Sequence, residues 1–115
     1  MPSESLRIED QPGTQQGQRI LRLNGALVMP TMFEFQAMVR ADTSRVLIID
    51  FTNVPYVDSA GIGALVGAYV TRQKGGRSLA LVGVCKRIHD ALGVTRVEQF
   101  FRFFDSVSAA EQASA

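Results

Sequence analysis

The chain has 115 residues, 46% of them apolar and 20% charged, with 12 Lys+Arg against 11 Asp+Glu for a formal charge of +1. That length suits one domain able to bury its own core, and so even a charge balance excludes a basic footprint for nucleic acid. A single cysteine, Cys85, and a single histidine, His89, exclude an intrachain disulfide, a Cys-rich zinc site and a His-rich metal centre, so no metal or cofactor is expected.

The first residues (1–4) read as a loose end. Leu6 and Ile8 alternate with Arg7 and Glu9, as in a half-buried strand. The polar stretch 11–17, with Pro12, Gly13 and Gly17, predicts a turn, and a second strand at about Gln18–Leu23 closes a hairpin. A helix follows over about Thr31–Val39, opened by Pro30, with Met32, Phe35, Met38 and Val39 on one face and Phe33 off it. Arg45–Phe51 contains four consecutive β-formers, Val46 to Ile49, which suits a central strand covered on both faces. A second helix runs over about Ser59–Gln73 and stops at Gly75 and Gly76. Ser78–Val84 predicts another buried strand, and Lys86–Leu92 a short helix with Gly93 just past its end. Phe100–Phe104 predicts the last strand, and Asp105 with Ser106 caps a final helix to about Gln112.

The order β-β-α-β-α-β-α-β-α predicts an α/β domain over residues 5–112, with flexible ends at 1–4 and 113–115. Its sheet is mixed but mostly parallel, with about five strands and about four helices. The longest apolar run, Ala60–Val70, is too short for a bilayer, and the N-terminus lacks the basic start and apolar stretch of a secretory signal. A cytoplasmic protein without membrane insertion is the expectation.

The second helix is sorted by size. Ile62, Leu65, Val66, Tyr69 and Val70 fall on one side, and Ala60, Gly63, Ala64, Gly67, Ala68 and Thr71 on the other. The bulky side is expected to face the sheet. The small side, with Ala64 and Gly67 open to solvent, is then a flat surface for a docking partner. Gly61, Gly63 and Gly67 together cost this helix about 2–3 kcal/mol relative to alanine. Asp58 and Ser59 stand at the helix start, where either side chain is suited to cap it. The same position suits a phosphoserine, because a helix N-terminus accommodates an anion and a phosphate adds about −1.5 to −2 charges beside the docking side.

Two stretches, Val46-Leu47-Ile48-Ile49-Asp50-Phe51 and Val57-Asp58-Ser59-Ala60-Gly61-Ile62-Gly63-Ala64-Leu65, resemble the STAS domain of bacterial anti-sigma factor antagonists. Leu23-Asn24-Gly25-Ala26-Leu27, Leu81-Val82-Gly83-Val84 and Phe103-Phe104-Asp105-Ser106 extend the resemblance over about residues 5–112. It implies a non-enzymatic switch protein with two partners, a kinase-type anti-sigma factor and a serine phosphatase. The unmodified antagonist binds the anti-sigma factor and frees a sigma factor. Phosphorylation of the serine after the motif Asp, here Ser59, turns it off. Taken with the small side of the helix, it gives Asp58, Ser59, Ala60, Gly61, Gly63, Ala64 and Gly67 as the expected docking residues. Val28 departs from the family, whose members often carry an acidic residue just after the Gly-x-Leu of the second strand.

Other readings are weaker. The spacing Gly61, Gly63, Gly67 is one residue too long for a dinucleotide loop, and no acidic residue ends the next strand. Val57 stands two residues before Ser59, where a hydrolase elbow has its first glycine, and His89 reads as a solvated helix residue. Cys85 reads as a buried small apolar residue, and Arg72, Lys74, Arg77, Lys86 and Arg87 as solvent-facing charges. STAS-like domains also serve as subunits of membrane transport complexes, which keeps the fold and removes the need for phosphorylation.

Overall fold

A computed structural model describes residues 5–114. The elements follow the expected order: β1 (Arg7–Pro12), β2 (Gln18–Asn24), α1 (Met32–Ala41), β3 (Val46–Asn53), α2 (Ser59–Lys74), β4 (Ser78–Val82), α3 (Lys86–Val94), β5 (Arg102–Phe104) and α4 (Val107–Ala113). The five strands form one sheet in sequence order, with β1 antiparallel to β2 and every other pair parallel. Of the expected loose ends, residues 1–4 and 115 lie outside the described residues, and α4 continues through Ala113.

Register decides which side chains meet. Leu21, Ile49, Leu81 and Phe103 lie side by side across four strands and face the layer of α1, α2 and α3. Phe35, Val39, Leu65, Ile88 and Leu92 of those helices complete this core. The alternate row, Ile20, Ile48 and Ala80, faces the other side, where Ala110 and Val107 of α4 cover it. The buried runs of β3 and β4 are central strands for this reason: both of their faces are covered.

Local departures have local causes. β4 ends at Val82 rather than Val84, because Gly83 turns with φ 67° and packs its backbone against Thr52, where a Cβ would collide. Helix α3 passes through Gly93 to Val94, and the residue of left-handed φ that follows is Arg96, at 61°. One turn of 3-10 helix over Glu98–Phe100 delays β5 until Arg102. Cys85 is exposed rather than buried, since it stands at the N-cap of α3 after the chain has left the sheet.

Arg72 is the largest correction to the reading of charges. It is 1% exposed, not solvent-facing. Its guanidinium donates to Ser78 O at 2.8 Å, Asp42 Oδ2 at 2.9 Å and Ser44 O at 2.6 Å. It therefore ties the end of α2 to the end of α1 and to the starts of β3 and β4. Burial pushes its pKa down from the ordinary arginine value, while the Asp42 carboxylate opposes that shift.

Candidate functional site

Two loops meet at the start of α2. Leu27, after β2, bridges to Val57, after β3; Leu27 N donates to Tyr56 O and Asp58 N to Leu27 O, both at 3.3 Å. The Asp58 carboxylate fastens the junction from both sides. Its Oδ1 accepts from Gly61 N at 2.8 Å, which makes it the N-cap of α2, and its Oδ2 accepts from Met29 N at 3.0 Å. The cap is thus Asp58 and not Ser59. Gly61 is required by the same junction: a Cβ there would collide with the Leu27 carbonyl oxygen.

Ser59 is the first residue of α2 and is exposed. Beyond it the outward face of the helix carries Gly63, Gly67 and Val70, all exposed, with Val66 half-buried between them. A Cβ added at Gly63 or Gly67 would meet nothing within 4 Å, so neither glycine answers a packing demand. Ala60 is half-exposed.

The sorting of α2 by size is overturned in part. Ala64 is 2% exposed and Gly61 is buried, so neither lies on the open surface, whereas Val70, expected inside, is 40% exposed. Leu65 does enter the core, and Ile62, Val66 and Tyr69 pack on it while partly exposed. The reason is the neighbour. Helix α2 contacts α1 as well as the sheet, and Ala64 and Ala68 are the small residues that permit that close helix contact. Rotating them inward brings the valines outward.

Val28 is buried in the core, so no surface charge stands at that position in this chain. Met29 and Phe33, which the sequence reading left out of the site, are 56% and 61% exposed beside it. The one signal for them was Phe33 lying off the apolar face of α1. His89 lies against the Phe103 ring at 4.2 Å between centroids, with its Nδ1 3.8 Å from Glu98 Oε2. It therefore answers to structural neighbours in β5 and the 3-10 turn before it. No helix of the described residues is long and apolar enough to cross a membrane.

Residues 6–110 match the model of the STAS domain family. The chain belongs to the STAS family. An anti-sigma-B factor antagonist from Staphylococcus aureus is 30% identical over 67 residues, which is 58% of this chain. This STAS chain spans 62% of that relative's length, a little under two-thirds. The crystal structure of an anti-sigma factor antagonist from Mycobacterium paratuberculosis superposes with a TM-score of 0.81 at 18% identity, over 94% of this chain and 92% of the other. A sulfate transporter family protein from Wolinella succinogenes superposes with a TM-score of 0.74 at 25% identity, over 87% and 86% of the two chains. In this STAS domain the junction offers an exposed hydroxyl on a helix N-terminus, at the rim of a face without charge. That arrangement can carry a phosphate and can dock a protein.

Proposed function

We propose that this STAS domain is an anti-sigma factor antagonist that binds a kinase-type anti-sigma factor and is switched off when Ser59 is phosphorylated. The observation that carries this reading is the exposed Ser59 on the first turn of α2, at the rim of an outward face where Gly63 and Gly67 stand in open space. Surface helices ordinarily place charge on such a face. Here Asp58, Ser59, Ala60, Gly63 and Gly67 form the docking surface; the buried Gly61 and Ala64 support it from beneath. The relatives named as anti-sigma factor antagonists support the same reading.

The chain is substrate, not catalyst: the kinase brings ATP and its own base, and a serine phosphatase restores the hydroxyl. A phosphate on Ser59 sits well at a helix N-terminus, so its effect falls on binding. A dianion desolvated against the partner and close to Asp58 costs about 2–5 kcal/mol, a loss of roughly 30- to 5000-fold in affinity. Incubation with the anti-sigma kinase of the source organism and ATP, followed by peptide mass spectrometry, tests this. Phosphate is expected on Ser59; phosphate on Ser44, Ser78 or Ser106 alone overturns it.

The second reading is a subunit of a membrane transport complex, favoured by the likeness to the Wolinella transporter family protein. It gains if no kinase modifies the chain and the chain co-purifies with a membrane transporter.

A further inference from the structure

Helices α1 and α2 each connect neighbouring parallel strands, so they run side by side in the same direction. Their starts are fastened together by Asp58 and Met29 N. Between them lies a groove of about 70 Å³ floored by Val39, Ala64 and Ala68, with Gln36 and Arg40 on one wall and Gly67 on the other. That is room for the end of one side chain and too little for a typical small-molecule ligand.

The surroundings of the groove differ in chemistry. Toward the start of α1, beyond the groove's own lining, Met29 and Phe33 project into solvent from a fixed backbone. Thr31 Oγ1 donates to Ala26 O at 2.8 Å and accepts from Val28 N at 3.0 Å, which holds the loop. Exposed apolar side chains on an ordered backbone, here the loop at Met29 and the first turn of α1 at Phe33, bind without the entropy cost of ordering that backbone. At the far end stands Arg40, in the last turn of α1, exposed and with no ion-pair partner among the described residues. Lys74 ends α2 on the same side of the domain, and the remaining charge of that helix, Arg72, is buried. Glu34, the acidic residue of α1, lines a different cleft with Pro30 and Ser5. Phe33 and Arg40 are seven residues apart on one face of α1, a separation of about 10 Å along the axis.

We propose that an amphipathic helix of the anti-sigma partner lies along the α1–α2 face, seating the end of one side chain in this groove, covering Met29 and Phe33 with apolar side chains and meeting Arg40 with a carboxylate about seven residues away. Gly63 and Gly67 let that helix approach closely, at the short end of ordinary interhelical distances of about 8–10 Å. The proposal rests on the antagonist reading and adds the chemistry of the partner's contact: apolar at one end, acidic at the other. The complementarity of charge argues for an acidic partner surface.

The test is titration calorimetry of the full chain with the kinase-type anti-sigma factor from the same organism, for the wild type, Phe33→Ala, Arg40→Gln and Arg40→Glu. All three substitutions fall on exposed side chains, and circular dichroism checks that the variants fold. Arg40→Glu is expected to weaken binding at least about tenfold, with a smaller loss for Arg40→Gln and a flatter dependence on salt. Phe33→Ala is expected to lose about tenfold. Reversing one acidic residue of the partner to arginine should restore most of the affinity of Arg40→Glu. Wild-type binding with Arg40→Glu and Phe33→Ala both within twofold of it overturns this proposal alone. No binding by the wild type overturns the antagonist reading and this proposal together.

Discussion

The glycines of α2 divide into two kinds that sequence alone presents as one stripe. Gly61 is forced by the Leu27 carbonyl, and an alanine there must push two loops apart. Gly63 and Gly67 are forced by nothing in the fold, and each leaves its helix weaker than alanine would by about 0.8–1 kcal/mol. Urea unfolding should therefore find Gly67→Ala and Gly63→Ala stabilised by about 0.5–1 kcal/mol each, and Gly61→Ala destabilised. A destabilised Gly67→Ala would mean that the open face is packed after all. Asp58 is the second residue of consequence, since one carboxylate caps α2 and holds Met29 N. Asp58→Ala should cost about 1–2 kcal/mol, while Ser59→Ala, which removes an exposed hydroxyl, should stay within about 0.5 kcal/mol of the wild type. That contrast separates the residue that builds the junction from the residue proposed to be modified on it.

At the scale of elements, the sequence was most legible where a strand or helix has one kind of neighbour. The four β-formers from Val46 to Ile49 read as a central strand, and both faces are indeed covered. The Asp-Ser pair marked the start of α2, because a cap is a local hydrogen bond with a local signature. Helix α2's orientation was not legible. It is set by a second helix, and the rule that bulk points inward gives way when small residues are needed where two helices touch. Arg72 was misread for the same reason, since its partners Asp42, Ser44 and Ser78 are distant in sequence or outside the helix. Met29 is not legible because exposure of an apolar residue in a loop has no periodicity to betray it, and Phe33, on the first turn of α1, shows only as a residue off the apolar face of its helix. The corrected face makes its own prediction. Leu65→Ala should cost about 2–5 kcal/mol, as a fully buried leucine does. Ala64→Leu should cost about 1–3 kcal/mol by overpacking the α1 contact. Val70→Ala, on the outward face, should stay within about 0.5 kcal/mol. Chemical denaturation at one pH ranks the three, and a large loss for Val70→Ala would return the helix to its expected rotation.

Across the whole molecule, two buried ions brace opposite ends of the parallel strands. Arg72 gathers the starts of β3 and β4, and Asp50 holds the far end of β3. The Asp50 carboxylate accepts from Thr52 N at 2.9 Å, Thr52 Oγ1 at 2.6 Å and Arg22 Nε at 3.1 Å. Burial alone would raise its pKa, but the bonds from Thr52 and then Arg22 outweigh burial and hold it below the usual carboxylate range. A carboxyl group whose pKa is depressed in the folded state favours folding once it is ionised. Its contribution is complete above the unfolded value of about 4 and is lost as pH falls through the lower folded value. Asp50→Asn keeps an oxygen that can accept from Thr52 and removes the charge that holds Arg22. The variant should be less stable than the wild type at pH 7, and the gap should narrow as the pH is lowered below about 4, because the wild type then also carries a neutral side chain. Equilibrium urea unfolding of both proteins between pH 7 and pH 3 measures that gap. Two parallel curves would show that Asp50 has the same pKa folded and unfolded, and that the bonds to Thr52 and Arg22 do no more than offset its burial.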